Sequence, residues 1–479
     1  MIFPFLFLLA APPRSTADLD DSLKRFTEVL AVVQREAADP VNTEPALYQG
    51  AIPGMLRRLD PHSIFFDPQQ FEQLKEMERS EQKGFGTIVS VVPGRVIVLQ
   101  AMPGTPSAKA GLQPGDEIVA VNNVALARLD FEQIIPFLGE ARQHQAQLIV
   151  RRPANARPLQ FVLDPALVDA PSVDRAFMLT PHIGYVRVSS FDPKTAQQLK
   201  EAIDNLGGEK LKGLVLDLRN NGGGVVQSAL ASVAYFLKPG EKLLSVKGRS
   251  IESQNVDTPK DAKPYEFPLA VLVNEKTASA SEIFSGALQD HDRATIVGEP
   301  TYGKGLVQNV FPLSSNTAMA LTTAFYYTPS GRSIQKPIAA GQLEVEKQKE
   351  QFHTDSGRRV MGGGGIQPDV VVEPQGFTRL QMVLDASGIL SSFATSYIQS
   401  HKIADNFEVS ASDLEEFQVY ASEHDIQPAV GEWLKERAWV QSRLKQEIFN
   451  QALGVAKGDE VEAQRDPVVQ AAIEKITSR

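Results

Sequence analysis

Apolar and polar positions follow two rhythms along this chain, and the sharpest change between them falls at residues 268–308. An apolar run at 269–273 has the length and Val/Leu content of a buried strand and stops at Asn274, Glu275 and Lys276. A helix should follow. Ser279 stands three residues before Glu282, the spacing of a capping box, and Ile283, Phe284, Ala287 and Leu288 then recur at helical intervals. A second short strand at 294–297 leads into a loop where Gly303 and Gly305 bracket Lys304, and Val307, Gln308 and Val310 restart a strand.

The same patterns divide the remainder. Helical periodicity marks residues 18–80, with Leu23, Phe26, Val29, Leu30, Val32 and Val33 on one face. Short alternating strands begin at Gly84-Phe85-Gly86 and continue through 96–99; a turn with a short helix at 103–112 and a turn into a strand at 115–122 follow. Residues 154–173 form a Pro-containing connection that includes a strand at 159–163. Strands at 183–188 and 213–219 come next, the second leading through Asn220-Asn221-Gly222-Gly223-Gly224 into a helix over 225–236. Strands alternating with helices predict an α/β core. The charged stretch 344–359 reads as an exposed excursion and the glycines at 362–365 as a hinge. From 375 onward the chain reads as helical: Ser412 and Glu415 have capping-box spacing, and Val440, Leu444 and Ile448 share one stripe, either core or a face for a second copy or an adaptor.

Composition narrows the classes. At 479 residues the chain exceeds one ordinary core, and 42% hydrophobic residues suit a soluble globular protein. A net charge of −10 without a concentrated basic face argues against nucleic acid as a partner. There are no cysteines, which excludes thiol catalysis and disulfides. The apolar run at 2–11 suits the h-region of a secretory signal, with Ser15-Thr16-Ala17 as an exit, although no Lys or Arg precedes it. We therefore expect an exported protein, periplasmic or in the cell envelope, touching a membrane only through an uncleaved N-terminus.

Ser279 alone reads as an N-cap, and Lys304 alone as a solvated loop residue. Together they suggest more: a serine hydroxyl is a poor nucleophile until a base takes its proton, and a lysine whose amine is desolvated can be that base. Gln308 could orient it. The glycines at 222–224 lack the lysine and spacing of a phosphate loop; their N–H groups, opening a helix, suit a developing oxyanion better. No HExxH is present, so no metal site is expected, and a Ser/His arrangement around His291 would leave its acid unidentified.

The run Thr277-Ala278-Ser279-Ala280-Ser281-Glu282, followed by Gly303-Lys304-Gly305 and Gln308, resembles the carboxyl-terminal processing peptidases, also called tail-specific proteases. That family uses a Ser/Lys dyad. The resemblance implies Ser279 as nucleophile, Lys304 as general base, Gln308 as the residue positioning the lysine, and Asp290 as an accessory residue. It places the oxyanion donors at Gly224 and at the N–H of Ala280. This chain has Gly222 where the family commonly has proline, so the first donor could slip to Gly223. The runs at 54–63, 325–335 and 365–372 are also family-like, and the likeness covers residues 51–374. Leu59-Asp60-Pro61-His62-Ser63 carries no assigned chemistry, and His62 reads as a local structural residue.

Gly84-Phe85-Gly86 together with Ser107-Ala108-Lys109-Ala110-Gly111-Leu112 and Gly115-Asp116-Glu117-Ile118 resembles a PDZ domain. The resemblance implies that the N–H groups of residues 84–86 take a peptide's terminal carboxylate while the peptide adds as a strand to the sheet edge. Phe85, Ile88 and the helix near 131–138 would line an apolar pocket, and Arg151, beside Arg152, could bridge to the protease.

The expected architecture is thus multidomain, α/β in the mixed α+β sense: a signal-like segment at 1–17, an N-terminal helical region at 18–80, a small barrel-like PDZ β-domain at 81–153, an α/β protease core at 154–375 that the family builds from ββα units, and a helical region at 376–479. The expected function is a serine endopeptidase that binds protein C-termini, needs no cofactor, and alternates between closed and open arrangements. A Ser/Lys esterase or amidase shares the chemistry. The rival of a different class is a catalytically silent, tail-binding PDZ scaffold.

Overall fold

The computed structural model describes residues 16–78, 81–92, 95–153, 155–249, 251–338 and 351–478. The signal-like run therefore lies outside the described residues, as does the first part of the charged stretch at 344–359. Two compact units are present, one of Met1–Arg79, Val188–Asp204 and Leu216–Val371, the other of Ser80–Arg187, Asn205–Val215 and Val372–Arg479. Each combines helices and sheets, the mixed α/β class.

In the first unit, the apolar strand Leu269–Val273 runs parallel to Ala294–Gly298, every residue of both buried. Parallel pairing needs a crossover, and the helix Ala280–Asp290 supplies it. All eleven of its residues are buried, because it is covered on every side. Val370–Val371 extends the parallel sheet beyond Ala294–Gly298. A second, antiparallel sheet has the long strand Ala318–Tyr327 at its centre, pairing with Ile64–Phe66, Lys242–Gly248 and Leu306–Pro312, and Ile251–Asp257 pairs in turn with Lys242–Gly248.

Three stretches take a more specific form here. The glycines at 362–365 do not form a loose hinge, because the N–H groups of Gly363 and Gly365 donate to the carbonyls of Ser333 (2.6 Å) and Ile334 (2.9 Å). Residues 352–360 fold back as a short hairpin, Phe352–His353 with Arg359–Val360, that buries Thr354 and Val360. The N-terminal helix Thr16–Glu36 forms as expected; of its apolar residues Leu23, Phe26, Val29, Val32 and Val33 are exposed and Leu30 is half-buried.

In the second unit, five antiparallel strands stand in the order Thr87–Val92, Arg95–Ala101, Glu117–Val121, Ala146–Arg151, Leu159–Leu163. The last of these was expected within the connection; its pairing with Ala146–Arg151 carries the sheet past residue 153. Val96, Val98, Ile118, Val121, Ile134 and Leu148 form the core under the helix Phe131–Ala141, whose start is fixed by an Asp130/Gln133 capping box. Glu81–Gly84 pairs separately with Ala166–Asp169.

The same unit holds the C-terminal helices. Val440, Leu444 and Ile448 are fully buried with Phe393, Phe417 and Trp433, so this stripe is core and not an exposed face. The helix Ala411–Glu423 starts two residues earlier than its expected cap: Ser410 and Asp413, with the same spacing, exchange the capping bonds (2.7 and 3.3 Å). No helix among the described residues is long and apolar enough to cross a membrane.

Candidate active site

Ser279 is the N-cap of the buried crossover helix and adopts φ 55° and ψ −116°, a conformation that costs a non-glycine residue energy. Its main chain is held from two directions. The Ser279 N–H donates to Glu282 Oε2 (2.9 Å), and the Tyr326 hydroxyl donates to the Ser279 carbonyl (3.0 Å) while also lying against the Lys304 carbonyl.

Glu282 does more than cap a helix. Its fully buried carboxylate also accepts from the hydroxyl of Thr301 (2.5 Å) and from the N–H groups of Gly303 (2.8 Å) and Lys304 (2.8 Å). Burial pushes this carboxyl above its ordinary value, and the four donors oppose the rise. One carboxylate thereby ties the backbone of Ser279 to that of Lys304. Tyr326, reached from the centre of the antiparallel sheet, ties them a second time.

Lys304 is half-buried. Its Nζ donates to Gln308 Oε1 (2.6 Å), and Gln308 Nε2 donates to the His62 carbonyl (2.6 Å). The hydrogen bond of the amine thus runs to Gln308 rather than to Ser279. A register shift between Val307 and Gln308 interrupts the strand Leu306–Pro312; such bulges re-aim side chains. Burial lowers the Lys304 pKa below 10.5, and the negative charges of Asp60 and Glu282 oppose the fall. The arrangement holds a partly desolvated amine whose charged form burial disfavours.

The glycine loop meets the nucleophile turn directly. A Cβ on Gly223 would lie 2.9 Å from both Ala280 N and Ser279 Cβ, and its φ is +101°. A Cβ on Gly224 would lie 2.0 Å from the Phe191 carbonyl, where a short parallel bridge seats the loop. Asn221, fully buried, staples the loop: its Nδ2 donates to the Val188 carbonyl (2.8 Å) and its Oδ1 accepts from the Gly223 N–H (2.9 Å). The Gly223 N–H is therefore committed to Asn221. Among the described residues, the N–H groups of Gly224 and Ala280 have no acceptor. Gly223→Ala should abolish most activity and lower the melting temperature by several degrees, through both strain and overlap with the serine. Rates and thermal melts check this, and a fully active variant would show that the loop does not sit against Ser279.

Asp290 is not brought to this cluster. It lies at the other end of the crossover helix, roughly 16 Å away at 1.5 Å per residue. There its buried carboxylate pairs with the buried Arg332 (2.7 Å) and accepts from the Ser330 N–H (3.0 Å). Asn221, Tyr326 and the further bonds of Glu282 were not anticipated from sequence, since each depends on a long-range contact.

In the second unit, Gly84 ends the short strand Glu81–Gly84, and Phe85 and Gly86 lead into Thr87–Val92, an edge of the six-stranded sheet in which Val124–Ala125 pairs with Glu117–Val121. The carbonyls of Phe85 and Gly86 accept from the N–H groups of Ser107 (2.9 Å) and Met102 (2.8 Å), whereas their own N–H groups have no acceptor among the described residues. Phe85, Phe137 and Leu138 pack partly buried against the core, and Ile88 is half-buried on the edge strand. The Phe131 side chain lies outside the described residues. Arg151 pairs with Glu117 on the neighbouring strand (3.2 Å), and Arg152 forms a two-pronged bond to Asp116 (2.7 Å each).

The profile of peptidase family S41 matches residues 182–345, and that of the PDZ domain matches residues 97–152. The carboxy-terminal-processing protease of Bartonella bacilliformis is 34% identical over 359 residues, 73% of this chain and 75% of that one. The carboxyl-terminal-processing protease of Synechocystis is 32% identical over 60% of this chain and 68% of its own length, and the protease CtpB of Bacillus subtilis 28% identical over 68% and 69%. A solved structure, the photosystem II D1 C-terminal processing protease, aligns with 73% of this chain and 87% of its own at 27% identity, with a TM-score of 0.41, too low for its geometry to be carried over. The extent and level of these identities, together with a PDZ-like sheet and a strained serine tied to a half-buried lysine, establish that the chain belongs to the carboxy-terminal processing proteases, serine-type peptidases of family S41.

Proposed function

We propose that this protein is an endopeptidase that takes hold of protein C-termini at its PDZ domain and cleaves them by a Ser279/Lys304 acyl-enzyme mechanism. The observation that carries the reading is the double tie of Glu282 and Tyr326, which holds a strained serine and a desolvated lysine as one rigid pair. Neutral Lys304 takes the proton of Ser279, and the freed Oγ attacks the peptide carbonyl. The uncommitted N–H groups of Gly224 and Ala280 hold the oxyanion. Collapse expels the amine, which receives the proton from Lys304. Water then attacks the ester while the Lys304 amine takes its proton; collapse returns that proton from Lys304 to Ser279 Oγ, and the acid product leaves.

The unpaired edge strand Thr87–Val92 and the free N–H groups of Phe85 and Gly86 support capture of a terminal carboxylate. The test is an unstructured polypeptide ending in apolar residues, compared with a copy whose carboxylate is amidated. The parent should cleave the free-acid form faster, with the difference in KM, and Ser279→Ala should bind both and cut neither. Equal cleavage of both forms would contradict tail reading. Binding without cleavage by the parent would favour the silent scaffold.

A further inference from the structure

The run Leu59-Asp60-Pro61-His62-Ser63 has no role in the chemistry described so far, yet it folds against the lysine's partner. Asp60 is buried, and its Oδ1 accepts from the N–H groups of His62 (2.8 Å) and Ser63 (2.8 Å) while its Oδ2 accepts from Ser63 Oγ (2.6 Å). An aspartate that bonds its own following backbone makes a self-closing turn. Ser63 Oγ in turn accepts from the Thr322 N–H (3.2 Å), and Thr322 is the register partner of Gln308 across the sheet. The turn is thus anchored opposite Gln308.

The consequence is chemical. An amide side chain has one donor end and one acceptor end, and a main-chain carbonyl can only accept. Because the His62 carbonyl takes Gln308 Nε2, Gln308 must present its oxygen to Lys304. That oxygen accepts a hydrogen bond from one N–H of the amine and leaves the nitrogen lone pair free for the serine. Were the amide reversed, its NH₂ would donate into that lone pair and quench the base.

We propose that the turn at residues 60–63 is a positioning element of the dyad, in which the His62 carbonyl fixes the sense of the Gln308 amide and the Asp60 carboxylate both closes the turn and sets a negative charge facing Lys304. This rests on the reading of Lys304 as general base. Among the described residues, the titratable groups that interact electrostatically with the amine are Asp60, Glu282 and His62. Asp60 and Glu282 raise the amine's pKa against burial; the His62 imidazole is itself lowered by burial and by Lys304 and raised by Asp60. Removing the Asp60 charge therefore lowers the amine's pKa further.

The test compares parent, Asp60→Asn, Asp60→Glu and Lys304→Ala, following kcat, KM and the rate of Ser279 modification by a phosphonate probe across pH. Asparagine keeps an acceptor for the turn and loses the charge, so its acid limb should move to lower pH by roughly half a unit or more. Glutamate keeps the charge but misfits the turn, so kcat should fall roughly tenfold with KM and the acid limb near those of the parent. If Asp60→Asn lowers kcat while retaining the parent's acid limb, Asp60 only shapes the turn and the proposal is overturned. Should Asp60→Asn not fold, Ser63→Ala removes only the Oδ2 and Thr322 contacts; a lower kcat at unchanged KM is expected, and an unchanged kcat overturns the proposal. Lys304→Ala separates the two levels. Retained activity there removes the base reading itself, whereas an inactive Lys304→Ala beside an unshifted Asp60→Asn removes only the role of the turn.

Discussion

Replacing Lys304 with alanine should lower kcat on a peptide tail by roughly 10³- to 10⁴-fold and leave KM within a few-fold of the parent. The amine is the only group in the proposed cycle that takes and returns the proton, and the proposal assigns capture of the tail to other residues. The pH dependence follows with a definite sign. Burial lowers the Lys304 pKa, so the neutral base is present above that lowered value and lost as pH falls through it. The parent's activity should rise with pH along one ionisation below 10.5, the ordinary lysine value. Initial rates across neutral and alkaline pH check this. A flat profile, or the same rising limb in Lys304→Ala, would assign the proton transfer to another group.

The largest stability effect should come from Arg332→Ala, at about 3–5 kcal/mol. The Arg332 guanidinium is fully buried and donates to Asp290 (2.7 Å), Gln289 Oε1 (2.8 Å) and the Met361 carbonyl (3.0 Å). Its loss strands the buried Asp290 carboxylate at the end of the crossover helix, and an unpaired buried charge costs far more than the pair contributes. An Arg332→Met, Asp290→Leu double variant should recover much of the loss, because it leaves no charge behind. Chemical denaturation of the three proteins measures this. Recovery in the double variant would place Asp290 in the stability of the helix, whereas a folded double variant with abolished kcat would return Asp290 to the chemistry.

What the sequence revealed follows from distance along the chain. Ser279, Lys304 and Gln308 stand within 30 residues of one another, inside one strand, helix and loop, so spacing and residue type identify them together. The buried strand at 269–273 and its helix were equally legible, since an apolar run and a capping box are local signals. Tyr326, Asn221 and the turn at 60–63 reach the same cluster only through sheet pairing and loop contacts, which no local pattern encodes. Glu282 shows the limit most clearly. Its spacing from Ser279 predicted the cap, but the bonds to Thr301, Gly303 and Lys304 need the folded loop. Asp290 was named as accessory only from its place in a motif, and the helix Ala280–Asp290 sets it at the end opposite Ser279.

The measurement that tests the account most directly is the pH dependence of Ser279 modification by a phosphonate ester, with the site located by mass spectrometry, in the parent and in Lys304→Ala. We predict a single modified residue, Ser279, at a rate that rises with pH along one ionisation in the parent and is slow and pH-independent in the variant. Modification at another residue, or identical profiles in the two proteins, would contradict a Ser279/Lys304 dyad.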